Sequence, residues 1–225
     1  VKIITVCFAR KFYYNKLLRV FENSLKAVMP KIKPKILRPK LPRSIDHKRD
    51  TAFAFIAAAK YVLKAKHLTA VCDCDLMFLK SIADITEKDF DIAVTTRSKV
   101  KYNTGLWFYR PSNNAALFVR EWIEQTNNIM KDFCTWEDFC WNHGGIDQAS
   151  LYLTIRKLKR KIKILELPCE EWNSTQSEWR YIDENTRIIH IKSQLRGFCC
   201  KPNKNKITEK WEFLRPYVKM WKGFL

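Results

Sequence analysis

Leu68-Thr69-Ala70-Val71-Cys72-Asp73-Cys74-Asp75 decides the reading of this chain. Leu68 to Cys72 carries apolar or small residues at successive positions, so both faces of the strand it forms are buried, as in a central parallel strand. Two carboxylates follow at its end. In parallel α/β sheets ligands gather at the carboxyl ends of the strands. Residues two apart on an extended chain also point to the same side, which places Asp73 beside Asp75. Neighbouring anions repel unless a cation or a shared proton relieves them, and hard oxygen ligands suit Mg²⁺ or Mn²⁺. The plainer alternative is that both aspartates cap or solvate a turn.

Outward from this strand the pattern alternates. Ile3 to Phe8 has strand length, and Phe12 to Met29 places apolar residues at helical spacing. Pro30, Pro34, Pro39 and Pro42 exclude a long helix from the basic stretch that follows, leaving a short strand near Ile36. Thr51 to Ala65 reads as an Ala-rich helix entering the Leu68 strand. Beyond it, Asp91–Thr95 and Leu106–Tyr109 read as strands, and Asn113–Thr126 as an amphipathic helix closed by Asn127-Asn128. Asp147–Leu158 reads as a helix, with Ile162–Leu167 and Arg187–Ile191 as strands. No internal repeat appears. The expected class is α/β, one domain over residues 1–225 with a mainly parallel central sheet flanked by helices. The aromatic and basic segment 207–225 is expected to cover that domain, with Pro216 kinking or ending any helix in it.

Composition narrows the class without choosing a substrate. At 225 residues, 47% hydrophobic and 13% aromatic, the chain has enough apolar surface for a large core, which excludes a disordered protein. A net charge of +19 attracts anions, whether nucleotides, nucleic acid, acidic glycans or a membrane surface. Eight cysteines without a CxxC pair fit a reducing, cytoplasmic setting and argue against zinc. Val1 reads as a trimmed end or the start of one domain of a longer protein, so the missing signal peptide weighs little. No apolar run approaches the roughly 20 residues that span a bilayer.

Four separated stretches, read with the opening strand Ile3 to Ala9, carry a resemblance. They are CDCDLMFLKSI (Cys72–Ile82), NTGLWFYRP (Asn103–Pro111), GGIDQASLYL (Gly144–Leu153) and RIIHIKSQLRG (Arg187–Gly197). In this order they resemble nucleotide-diphospho-sugar transferases of the GT-A fold, particularly the glycogenin-like and lipopolysaccharide galactosyltransferase-like group. The resemblance implies that Asp73 faces the ribose and metal, that Asp75 chelates the metal, and that His190 completes the metal site. Lys192 would share the face of His190 and pair with a phosphate.

Glycosyl transfer breaks the bond from C1 to the diphosphate, so charge builds on the leaving group, and a divalent metal with a lysine stabilises that departure. Asp147 and Lys192 are therefore the candidate catalytic residues, Asp147 at the sugar or acceptor with Gln148 beside it. Placing Gly144 and Gly145 just before them, among five glycines in all, suggests backbone that approaches a ligand; a turn leading into a helix is the plainer account. Asn103 and Gly105 match the family's strand start near the donor sugar, while Ala9, Arg10 and Tyr13 fall where base and ribose would dock. One departure stands out. The family's basic residue on the helix before the Asp pair is missing from TAFAFIAAAK (Thr51–Lys60), with Arg49 and Lys60 bracketing the place.

The expected activity is transfer of a hexose from a nucleotide-diphosphate sugar, a UDP-sugar foremost, to a sugar hydroxyl of a glycan or glycoprotein, with Mn²⁺ or Mg²⁺ and retention of configuration. Dehalogenase-type phosphatases fit poorly because Met77 stands where their Thr or Val would be. The rivals are a Mg²⁺-dependent nuclease, which needs further acidic ligands, and a non-catalytic basic lectin-like or nucleic-acid-binding module. Nucleic acid stays secondary, since no Walker A or GxGxxG sequence accompanies the basic runs, and peripheral membrane contact is the other use of the basic surface. Donor sugar, acceptor and oligomeric state are left open.

Overall fold

A computed structural model describes residues 1–7, 13–40, 47–200 and 207–225. The chain opens with β1 (Lys2–Val6), α1 (Tyr13–Val28), β2 (Lys35–Leu37), α2 (His47–Val62) and β3 (Thr69–Asp73). A turn at residues 74–75 leads into the short β4 (Leu76–Phe78). Next come β5 (Ile92–Thr96), β6 (Tyr102–Tyr109), α3 (Asn113–Lys131), α4 (Phe133–His143), α5 (Ile146–Leu158) and β7 (Ile164–Pro168). The last elements are α6 (Cys169–Trp172), β8 (Ile188–His190), α7 (Ser193–Cys200) and α8 (Arg215–Gly223).

The main sheet has the order β2-β1-β3-β6-β5-β7. Pairing is parallel for β1 with β2, β1 with β3 and β5 with β7, and antiparallel on both sides of β6. The sheet is thus mainly parallel, as expected, with β6 alone reversed. β3 has one parallel and one antiparallel neighbour, so it is central but not wholly parallel. The reversal follows from the short connection between β5 and β6, closed by Arg97 N–H donating to Lys101 O at 2.9 Å, because a crossover needs a dozen or more residues.

Alternation along the strands sorts the core into two layers. Ile3, Ala70 and Phe108 pack with Phe21 and Leu25 of α1 on one face. Ile4, Val71 and Trp107 pack with Phe55, Trp122 and Leu151, from α2, α3 and α5, on the other. Ala52, Ala58 and Ala59 are buried, so the alanines of α2 let that helix lie close against its neighbours.

The segment after β3 differs from the expectation. β4 and β8 form a separate two-stranded antiparallel sheet, so the expected late strand does not join the main sheet. Phe78 N–H donates to Ser24 Oγ of α1 at 3.1 Å, and Phe21 meets Phe78 edge-on at 5.4 Å, which anchors this small sheet. α3 runs through Asn127-Asn128 to Lys131, because the buried Ile129 packs against Cys140 and Ile146. α4 had no counterpart in the sequence reading. Within segment 207–225, Leu214, Val218 and Trp221 pack on Leu17, Met77, Ile189 and Leu195. Pro216 lies in the first turn of α8, where its missing N–H costs nothing, so it opens the helix instead of ending it.

Arg187 ties β8 to its surroundings. Its Nε donates to Glu171 Oε1 and its Nη1 to Asp84 Oδ1, both at 2.7 Å, and the guanidinium lies 4.4 Å from the Trp172 ring centre. Arg187→Ala is expected to lower unfolding free energy by about 2 kcal/mol, read by urea denaturation; a change under about 0.5 kcal/mol would show these contacts to be decorative.

Candidate active site

The ends of β1, β3 and β6 open into a cleft of about 350 Å³, closed by α2, α5 and the start of α7. Asp73, Asp75, Asp147, Gln148 and Lys192 all line it, with Thr104, Gly144, Ser193 and Arg196.

Asp73, Asp75 and His190 offer one ligand atom each within 4.8 Å of one another, the spacing a shared ion requires. This convergence has a local cause different from strand alternation. β3 ends at Asp73, and the turn at residues 74–75 swings Asp75 inward. The ladder between β4 and β8 sets Leu76 opposite His190, and Ile191 N–H donates to Asp75 O at 2.8 Å. His190 Nε2 lies 3.0 Å from Asp75 Oδ1 and 3.4 Å from Asp73 Oδ2.

The other ring nitrogen orients the ring. Asn173 Nδ2 donates to Thr95 Oγ1 at 3.2 Å, turning Asn173 Oδ1 toward His190 Nδ1 at 3.0 Å. An amide oxygen only accepts, so Nδ1 carries a proton toward Asn173 and Nε2 is turned to the two aspartates. Metal-bound histidines are oriented in this way, and two carboxylates with an imidazole suit a divalent cation, so the residues fit the ion. Asp75 is buried yet its pKa lies well below the ordinary carboxylate range; burial pushes it up, and His190, Arg196 and Lys192 outweigh that. Arg196 Nη2 donates to Asp75 Oδ2.

Asp147 sits in the first turn of α5, where Thr104 Oγ1 donates to its Oδ2. Burial raises its pKa above the usual range, with nearby Asp73 adding to that, while Thr104 and Lys192 act against it. Gly144 and Gly145, at φ 84° and 136°, make the tight link from α4 to α5, and a Cβ on Gly144 would overlap Gln148 Nε2. Turn geometry accounts for both glycines. Gln148 Nε2 donates to His143 O at 3.1 Å.

Asn103 and Gly105 lie beneath the cleft, not in it. Asn103 Oδ1 accepts from Gly105 N–H at 2.9 Å, and a Cβ on Gly105 would overlap His190 Cε1, so the missing side chain makes room for the imidazole. Ala9 and Arg10 lie outside the described residues, as does the side chain of Tyr13, whose backbone opens α1. On α2 the cleft is met by Thr51, Ala54, Phe55 and Ala58; Arg49 lies 5.9 Å from the Phe133 ring centre and Lys60 is exposed, so neither replaces the missing basic residue. Sequence reasoning missed Thr104, Asn173 and Arg196. Thr104 and Arg196 lay inside quoted motifs; Asn173 had no signal.

No protein-family model and no curated protein sequence matches the chain. Solved structures do. One is a glycosyltransferase involved in the glycosylation of the major capsid of PBCV-1, with TM-score 0.59 and 12% identity over 86% of this chain and 95% of that one. A second is the glycosyltransferase GlyE of Streptococcus pneumoniae TIGR4, with TM-score 0.62 and 14% identity over 99% of this chain and 62% of GlyE. A third is the galactosyltransferase LgtC, solved with donor and acceptor sugar analogues, with TM-score 0.58 and 10% identity over 100% and 95% of the two chains. What this chain shares with them at such identities is the fold, the GT-A architecture of glycosyltransferases.

Proposed function

We propose that this chain is a metal-dependent glycosyltransferase moving a hexose from a nucleotide-diphosphate sugar, a UDP-sugar, to a sugar hydroxyl of a glycan or glycoprotein, with retention of configuration. One observation carries the reading: Asp73, Asp75 and His190 meet in a cleft that also holds Asp147, Lys192 and Arg196, so metal ligands, cations and an acid share one space. Asp73, Asp75 and His190 would hold Mn²⁺ or Mg²⁺. When bound, that ion supplies positive charge to the diphosphate as the C1–oxygen bond breaks.

The chain's own groups act around it. Lys192 and Arg196 bind the diphosphate oxygens and stabilise the charge that develops there. Arg196 already holds Asp75, so it is oriented before the donor arrives. Thr104 fixes Asp147, which positions the sugar or the incoming hydroxyl. The net charge of +19 favours entry of an anionic donor. The described chain works as one catalytic domain in a reducing, cytoplasmic compartment; all eight cysteines are unpaired, and among the described residues no helix is long and apolar enough to cross a membrane.

UDP and Mn²⁺ together are expected to raise the melting temperature by several degrees at millimolar concentration, more than either alone. Absence of any shift would overturn the reading. A nuclease would instead degrade nucleic acid with Mg²⁺ and leave a sugar nucleotide intact.

A further inference from the structure

The end of the main sheet opposite the cleft is strongly basic. β1, β3, β5 and β7 start there and β6 ends there, since Lys2 pairs with Thr69, Thr69 with Tyr109, Tyr109 with Ile92 and Ile92 with Ile164. The connections at that end carry the charge. Lys64 and Lys66 lie between α2 and β3, and Lys159, Arg160 and Lys161 between α5 and β7, all of them exposed, as Lys2 is. Stretches far apart in sequence are thus brought to one surface by the topology. A hollow lined by Lys2, Lys66, His67 and Arg110 lies in it.

Little negative charge answers these cations. Among the described residues, carboxylates pair with Lys157 and Lys163 but with none of Lys2, Lys64, Lys66, Lys159, Arg160 and Lys161. Asp91 is buried and accepts from Ser112 Oγ and Lys163 N–H, and the exposed Asp89 is held by Lys163 Nζ at 2.7 Å, which leaves Glu87 beside Lys88. Like charges gathered in this way repel, and an anionic partner relieves the repulsion.

Two apolar side chains stand at the edge of the same surface. Tyr61, in the last turn of α2, is 38% exposed, and Leu117, in the second turn of α3, is 46% exposed. α2 packs on α3. Lysines beside a few exposed apolar groups suit an anionic bilayer, whose phosphates meet the ammonium groups while the apolar side chains enter the acyl boundary. Single-stranded nucleic acid is held in grooves with several stacking rings, and Tyr61 is the one large exposed ring among the described residues of this end.

We propose that this end of the sheet docks on an anionic lipid surface, with the basic connections against the headgroups and Tyr61 and Leu117 at the acyl boundary. The cleft lies at the other end of the same strands, so it stays open when the chain is docked.

Flotation with vesicles tests this. Vesicles of phosphatidylcholine and phosphatidylserine in equal parts are expected to bind the chain more than about 10-fold tighter than phosphatidylcholine alone, with binding falling as salt rises. Lys159→Gln, Arg160→Gln and Lys161→Gln together are expected to weaken it about 100-fold, since each basic residue near such a surface contributes roughly five-fold. Removing the same charge on the α8 side, with Lys210→Gln, Lys219→Gln and Lys222→Gln, is expected to cost less than about five-fold. Melting temperatures check that both variants fold. Mixed vesicles left unbound, or bound equally well by the first variant, overturn the proposal. An equal loss in the second variant overturns it too, by reducing the attraction to net charge. Displacement of the chain from the vesicles by an RNA oligonucleotide at equal phosphate concentration would assign this face to nucleic acid instead.

Discussion

Asp75→Ala is expected to abolish the Mn²⁺-dependent part of UDP binding and to lower transfer by roughly 10³-fold, the scale of losing a main electrostatic contact at a charge-developing centre. Asp75 is the residue on which the site converges. One oxygen meets His190 and the other meets Arg196, so alanine removes a carboxylate contact from both the imidazole and the guanidinium. Part of the loss would then be misplacement of Arg196. Asp75→Asn separates the two effects. It keeps the shape of the side chain but supplies a neutral ligand, so it should lose Mn²⁺ affinity while holding the fold. Manganese binding followed by electron paramagnetic resonance reads this without an acceptor. Affinity retained within about threefold in both variants would remove Asp75 from the metal site.

Gly105→Ala is expected to be as damaging from outside the cleft. The added Cβ would overlap His190 Cε1, lie 2.8 Å from Nδ1 and stand 3.1 Å from Asn103 Oδ1. His190 is fully buried and held on both ring nitrogens, so it has nowhere to retreat. Overpacking of this kind costs about 1–3 kcal/mol, and here the displaced ring is also one of the three groups proposed to hold the metal. Lower unfolding free energy and weaker Mn²⁺ binding should therefore appear together. A double-mutant cycle isolates the cause: in a His190→Ala background the alanine at position 105 should cost far less stability. Equal cost in both backgrounds would place the strain elsewhere on β6.

How much of this was legible depended on how much structure each signal spans. β1, α1, α2 and β3 were readable because doubly buried strands and packed helices need apolar residues in runs or at fixed spacing. β8 was readable as the Arg187–Ile191 strand, but β4 is only three residues, too short for alternation to register, and the pairing of the two joins segments about 110 residues apart. α4 escaped because FCTWEDFCWNH mixes aromatic and acidic residues without one apolar stripe. The reversed β6 depends on a connection, Arg97 to Lys101, without an Asn-Gly signature.

In the site, the carboxylates were found by chemistry and the supporting groups were not. Asp73 and Asp75 stood out because paired acids at a strand end demand an explanation. The reason given for their convergence, alternation along one strand, yields to the turn that separates them. Arg196 is one of 42 Lys and Arg residues, and only its contact with Asp75 distinguishes it. Asn173 and Gly105 act by orienting and admitting a ring that lies far away in sequence, which no local pattern can announce.

The ladder between Leu76 and His190 also governs the order in which the protein becomes competent. During synthesis the aspartate pair leaves the ribosome roughly 100 residues before the segment that carries Asn173, His190 and Arg196. Until then Asp73 and Asp75 have neither imidazole nor guanidinium beside them. A nascent chain that holds β1 to β6 thus still lacks the third member of the Asp73, Asp75 and His190 group. The two aspartates meet His190 only once β8 has docked onto β4, with α8 packed over Ile189.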